Sequence, residues 1–290
     1  MNYKYIVTTS FGNDSVALIQ WMHQHHKGAF CALYNDTGWA RKDWPLRVKQ
    51  ISALCFELGI HVYQTKSEGM ANLVKRKKGW PMPASAMQWC TQELKEKPSL
   101  EFYAKHDPEC NAIIVTGRRR EESQNRVDLA MHQYKSEKHG GRDVYNPLVN
   151  HTESERDDLI NSFGVDVLPH SSMECYPCVC ANKSDLSEIP LNDERINDIE
   201  QLEISMGHTR NGKPRTMFRP YRVGGGVGIR QAVAWGRGER GFKSNYVPNE
   251  YKQKNEQTEF FESVSDVAYE IETKAGRELA KQCDGGFCGS

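Results

Sequence analysis

The chain has 290 residues, with 38 Lys or Arg balancing 38 Asp or Glu, so its formal net charge is zero. It is long enough to bury a sizeable core, as one large domain or a domain with an appendage. Its apolar runs fall far short of the ~20 residues that span a bilayer, and its N-terminus enters a strand without a signal-like segment, so a soluble cytoplasmic protein is expected.

Four β-like runs lie at residues 3–9, 29–34, 61–65 and 112–116. Helical patterns fill the intervals at 14–26, 43–58 and, interrupted by Pro98, 91–106. In the first of these, Val16, Leu18, Ile19 and Met22 recur about one turn apart. This alternation predicts an α/β fold, a doubly wound and mostly parallel sheet with helices on both faces. Ligands of such folds bind beyond the carboxyl ends of the strands. The residues that follow the strands there are polar: Ser10 to Ser15, Asn35 to Gly38, and Gly117 to Ser123.

A helix over 153–163 closes this core, and a boundary near residue 165 divides a nucleotide-binding domain (1–165) from a C-terminal region (166–290). That region is read as a mostly helical, cysteine-containing appendage. It contains a polar helix over 191–206, a basic glycine-rich stretch, and an amphipathic helix with Phe260, Phe261, Val264, Val267, Ala268 and Ile271 on one stripe.

The strand-to-helix joint Ser10-Phe-Gly-Asn-Asp-Ser15 suits an anion. A helix start presents unpaired N–H groups, Gly12 removes a side chain that would hold an anion away, and Ser10 and Ser15 supply hydroxyls. The same residues also suit an ordinary capped βα turn. A helix end contributes only about 0.3–1 kcal/mol per neighbouring charge, so a triphosphate would need Arg118, Arg126 and Mg²⁺ as well.

This joint resembles the pyrophosphate loop (PP-loop) of the adenine nucleotide alpha hydrolase superfamily, whose fold is Rossmann-type. The segments NDTGWA, WCTQELKEKP, TGRRREESQNR and YNPLVNHTESERDDLI follow in the order seen in the phosphoadenosine phosphosulfate (PAPS) reductase family, over roughly residues 1–180. The resemblance implies an adenine nucleotide across the carboxyl edge of the sheet. Ser10, Gly12, Asp14 and Ser15 would then bind or orient phosphates and Mg²⁺, and Asp36, Thr37 and Gly38 would lie near the nucleotide. Lys95, Gly117, Arg118, Glu122, Ser123 and Arg126 would take the anionic end of the substrate. Asp14, Ser15, Lys95 and Arg118 are the expected catalytic residues. An isolated Lys95 or Arg126 would otherwise read as a solvated helix charge.

Within that family, the retained Asp14-Ser15 pair implies cleavage of ATP between its α- and β-phosphates. Reductases generally lack the pair and carry a Glu-Cys-Gly-Leu-His-like motif, which the tail GFCGS matches only weakly and without the histidine.

Nine cysteines divide into four scattered ones (Cys31, Cys55, Cys90, Cys110) and a late group. Cys175-x-x-Cys178 with Cys283-x4-Cys288 would give four thiolates, which suit zinc or an iron–sulfur cluster alike. The segment MECYPCVC is similar to a Gly-Cys-Trp-x-Cys motif in the sulfur-activating subunit of DNA phosphorothioation systems, although it lacks that motif's glycine and tryptophan. The resemblance implies a [4Fe–4S] cluster, with Cys90 and Cys180 as reserve ligands. A zinc knuckle and a redox-active Cys175–Cys178 pair are the alternatives.

From Arg210 to Lys243 nine basic residues face one acid, Glu239, so this stretch carries +8. With Phe218, Tyr221, Trp235 and Phe242 interleaved, it suits a DNA or RNA strand, or a lid over ATP. The expected function is an ATP pyrophosphatase that adenylates an acceptor, nucleic acid in character, for sulfur transfer, supplied by a sulfur-donor protein such as a cysteine desulfurase. The alternatives are a thiol-dependent PAPS or desphospho-PAPS reductase using Cys288, and a non-enzymatic regulator that binds nucleotide and nucleic acid.

Overall fold

The computed structural model describes residues 3–82, 88–123, 126–169, 173–218 and 228–239. The expected helix near 260–271, together with Cys283 and Cys288, lies outside them. The chain divides into two compact units, Met1–Met70 with Cys90–Tyr176, and Ala71–Trp89 with Pro177–Cys283, as far as these are described.

The first unit is built on six strands: β1 (Tyr5–Thr9), β2 (Phe30–Asp36), β3 (His61–Lys66), β4 (Ile113–Val115), β5 (His132–Ser136) and β6 (Arg142–Tyr145). Their order is β3-β2-β1-β4-β6-β5. All neighbours are parallel except β5, which runs antiparallel to β6 at the edge. Helices α1 (Asn13–His25), α2 (Trp44–Glu57) and α6 (Glu153–Ser162) follow β1, β2 and β6 in sequence.

The central strands β1, β2 and β4 are apolar on both faces, and their period of two sorts the core into two layers. Tyr5, Val7, Phe30, Tyr34 and Val115 pack with Val16, Ile19, Ile51 and Ile160 from α1, α2 and α6. Ile6, Cys31, Leu33, Ile114 and Val144 pack instead with Phe102 and Tyr103. Those two residues come from α5 (Lys97–His106), so both faces of the sheet are covered. Because the chain leaves β1 for β2 on one side and later for β4 on the other, the strand order reverses between β1 and β4. That reversal opens a crevice at their carboxyl ends.

The expected helix over 91–106 is composite. A turn of α-helix, α4 (Trp89–Thr91), runs into a π-helical turn, Gln92–Glu96, and then into α5. Pro98 lies in the first turn of α5, where a missing N–H is tolerated. Two strands carry too little apolar signal to be foreseen: β5 (HQYKS) is a polar edge strand, and β6 (RDVY) is short. The helix α3 (Met70–Lys77) was likewise not expected.

In the second unit, α7 (Lys183–Ser187), α8 (Glu194–Met206) and α9 (Ile229–Gly236) confirm the helical character of the C-terminal region where it is described. Leu186, Ile196, Ile199, Ile229 and Val233 are buried among them. Glu203 is buried too, and its carboxylate accepts the backbone N–H groups of Met217 (2.8 Å) and Ile229 (3.0 Å). Burial nevertheless pushes its pKa up to about 7.

Candidate functional site

The joint after β1 is held by its own hydroxyls. The Ser10 N–H donates to Ser15 Oγ (3.1 Å), the Phe11 N–H to Thr9 Oγ1 (3.0 Å) and the Gly12 N–H to Ser10 Oγ (3.3 Å). Ser10 Oγ and Ser15 Oγ are themselves 3.0 Å apart. Gly12 stands at the N-cap of α1 with no side-chain cap. It has an ordinary φ of −74°, so its value to the loop is its missing side chain. The left-handed residue is Phe11, at φ 61°, which is fully buried and packed against Tyr34. Asn13 ties the loop to a later segment by donating to the Leu168 carbonyl and accepting from the Leu168 N–H, both at 2.9 Å.

Across the crevice, the residues after β4 meet the start of α1. A Cβ on Gly117 would lie 2.9 Å from the Asp14 carbonyl oxygen, so the close approach of these two backbones requires glycine. The Arg119 guanidinium bonds Asp14 through Nε at 2.5 Å, and both side chains are at least nine-tenths buried. Burial works against the Arg119 charge, but Asp14, Glu122 and Glu121 hold its pKa above the usual arginine value. Glu122 accepts the Arg119 backbone N–H (2.8 Å) and pairs with Arg126. Burial, joined by the Asp14 charge, lifts the Glu122 carboxyl above its ordinary range although Arg126 opposes it. Asp14, Arg119, Glu122 and Arg126 thus alternate in charge; all but the half-buried Glu122 are buried, and Glu122 meets Arg119 through its backbone N–H. Arg118, also buried, helps with Lys138 and Arg142 to hold His139 neutral, while burial is the larger cause; the imidazole falls to about 4. Ser123 closes the short 3-10 turn Arg120–Glu122.

One strand along, the end of β2 carries a second polar group. Asp36 Oδ1 accepts the Gly38 N–H (2.9 Å). Gly38 takes φ 61°, and a Cβ there would come within 3.0 Å of the Gly69 Cα. Thr37 Oγ1 donates to the Glu174 carbonyl at 3.1 Å. Lys95, on the π-helical turn, pairs with the Glu174 carboxylate at 2.8 Å. Burial raises the Glu174 pKa, and Lys95 works against that rise. The expected anion-binding lysine is thereby engaged by an acid of the same chain.

A model of the phosphoadenosine phosphosulfate reductase domain matches residues 4–174. The chain belongs to this domain family. A curated relative, an uncharacterized 37.8 kDa protein in the gpa 5' region of Escherichia phage 186, is 31% identical in an alignment 143 residues long that covers 44% of this chain and 42% of the relative. The match therefore spans less than half of that relative's length. Among solved structures, the PAPS reductase of Candida auris in its phosphate complex is 18% identical, with a TM-score of 0.40 over 57% of this chain and 74% of that one. The U34-tRNA thiolase NcsA of Methanococcus maripaludis, with its [4Fe-4S] cluster, is 16% identical, with a TM-score of 0.42 over 71% of this chain and 70% of that one.

For this family member, the structure brings Ser10, Gly12, Asp14, Ser15, Gly117, Glu122 and Arg126 together around the β1–β4 crevice, and Asp36, Thr37, Gly38 and Lys95 at the end of β2. Sequence reasoning missed Arg119 and Glu174. Arg119 is the middle of three consecutive arginines, and only the geometry shows which one meets Asp14. Glu174 adjoins Cys175 in sequence, and nothing in the spacing pairs it with the distant Lys95.

The cysteines are only partly described. Cys31 and Cys55 are buried core residues, each with a thiol pushed up to about 12 by burial. In the second unit, Cys178 Sγ accepts the Cys180 N–H (3.4 Å) and Cys180 Sγ accepts from Gln88 Nε2 (3.2 Å). Among the described residues, no three His, Cys, Asp or Glu side chains converge as metal ligands.

Parts of the basic stretch are structural. Arg230 bonds Glu200 (2.7 Å) and Asn197 (2.5 Å), and Phe218 is buried. Lys183 lies over the Trp235 ring, 5.6 Å from its centroid. Tyr221 and Phe242 lie outside the described residues. Among the described residues, no helix is long and apolar enough to cross a membrane.

Proposed function

We propose that the chain is an ATP pyrophosphatase of the PAPS reductase domain family that adenylates an acceptor for sulfur transfer, with DNA or RNA as the acceptor class and a sulfur-donor protein as partner. The observation that carries this reading is the loop itself: three consecutive amides, of Ser10, Phe11 and Gly12, are held by three hydroxyls at the uncapped start of α1. A hydroxyl both accepts and donates. An arriving pyrophosphate group would take the amide hydrogens, while Thr9, Ser10 and Ser15 turn to donate to it.

In the proposed step, an acceptor oxygen attacks the α-phosphorus, the bond to the β-phosphate oxygen breaks, and pyrophosphate leaves into the loop. The α1 N-terminus and the buried arginines would stabilise the charge that builds there. Asp14, fixed by Arg119, would orient the loop and any accompanying cation. Mg²⁺ would enter with the nucleotide and draw most of its ligands from phosphate oxygens and water. Asp36, Thr37 and Gly38 would line the nucleotide's other end, and Lys95 would meet an anionic group after exchange with Glu174.

The similarity of MECYPCVC to the phosphorothioation subunit supports a [4Fe–4S] cluster on Cys175, Cys178, Cys283 and Cys288, and zinc would suit the same thiolates. The described residues do not by themselves complete either site. Such a cluster would supply sulfur or electrons during transfer.

Calorimetric titration with ATP and with PAPS tests the reading. Tight binding of Mg²⁺–ATP, lost in Asp14→Asn, is expected. Binding of PAPS alone would favour the thiol-dependent reductase, a reading that the family's name supports; there Cys288→Ser should abolish sulfite release.

A further inference from the structure

Within the loop, one residue is held against its own preference. Phe11 has φ 61°, a conformation that L-residues other than Asn, Asp and Gly seldom adopt, so neighbouring groups must fix it. Burial of its ring against Tyr34 is one such constraint. The other is Arg47, on α2, whose Nε donates to the Phe11 carbonyl oxygen at 2.8 Å. Arg47 is half-buried, with its guanidinium 5.9 Å from the centroid of the Trp44 ring.

The consequence follows from peptide geometry. In a trans peptide the C=O and the next N–H point in opposite directions. Anchoring the Phe11 carbonyl on Arg47 therefore aims the Gly12 N–H the other way, toward Ser10 Oγ at 3.3 Å. That N–H is one of the three amides presented to the anion.

We infer that Arg47 is a positioning residue for the phosphate loop, acting through the Phe11–Gly12 peptide and not by contact with the ligand. The inference rests on the nucleotide reading above and adds to it a residue from the α2 turn, outside every motif read from the sequence.

The test compares wild type, Arg47→Met and Arg47→Lys as full chains, with inorganic pyrophosphate and Mg²⁺–ATP titrated at low and high salt and the melting temperature as control. Arg47→Met should weaken pyrophosphate binding on the order of tenfold. Because the guanidinium acts chiefly through its hydrogen bond to the Phe11 carbonyl, most of the loss should persist at high salt, where attraction by its charge is screened. Arg47→Lys, which keeps a donor, should recover part of the affinity. Equal binding by Arg47→Met and wild type overturns the inference, as does a loss that disappears at high salt. Should wild type bind neither probe, the nucleotide reading fails and the inference falls with it.

Discussion

Gly117→Ala tests the close approach that joins the two sides of the crevice. The added Cβ would lie 2.9 Å from the Asp14 carbonyl oxygen, 3.2 Å from its carbon and 3.6 Å from the Asp14 Cβ. The first two are backbone atoms that no rotamer change can clear, so β4 and the start of α1 must part by about half an ångström to restore ordinary contact. Overpacking of this kind costs about 1–3 kcal/mol, a fall of roughly 2–10 °C in melting temperature for a unit of this size. A reacting-group displacement of 1 Å can cost 10²-fold, so a shift of half that should slow turnover about tenfold. Gly79→Ala is the control, since nothing lies within 4 Å of its Cβ. Thermal melts and ATP turnover should separate the two variants. Indistinguishable behaviour would refute the claim that this contact sets the crevice.

Arg119→Met leaves the buried Asp14 carboxylate without its 2.5 Å partner and should destabilise by about 3–5 kcal/mol. Removing both charges together should cost less than the sum, as a double-mutant cycle in urea would show. Glu174→Gln removes the acid that engages Lys95 and should tighten binding of an anionic nucleotide several-fold by calorimetry; unchanged affinity would make the pair structural. Because the folded-state pKa of Glu203 is raised to about 7, the folded chain holds a proton there that the unfolded chain has lost. Its contribution to stability should therefore fall as pH rises from about 4.5 to 7, and Glu203→Gln should flatten that part of the profile.

The β1–α1 unit was legible in the sequence because three signals agree there: a buried apolar run, the Ser-Phe-Gly-Asn-Asp-Ser joint, and apolar residues at helical spacing. The same consistency made β2, β3 and β4 readable. Strands β5 and β6 were not: β5 is an edge strand, which need not be apolar, and its Tyr134 is 79% exposed, while β6 between β4 and β5 has only four residues. The π-helical turn before Pro98 was also hidden, because periodicity shows helix but not an extra residue within it. At the site, the residue types after each strand marked where the ligand chemistry lies. Pairing was out of reach: nothing in Arg118-Arg119-Arg120 says which arginine meets Asp14, and Arg47 and Glu174 come into play only through contacts 36 and 79 residues away in the chain. The basic stretch shows the converse. Its charge suggested a nucleic-acid surface or a lid over ATP, but Arg230 is engaged by Glu200 and Asn197 within its own unit.

The most direct measurement is product analysis of the anaerobically purified chain incubated with ATP, Mg²⁺, a nucleic acid and a sulfur donor, with PAPS and thioredoxin in a parallel reaction. ATP cleavage between the α- and β-phosphates predicts pyrophosphate released in step with an adenylated acceptor or AMP, and its loss in Asp14→Asn. Sulfite from PAPS without pyrophosphate from ATP would contradict it.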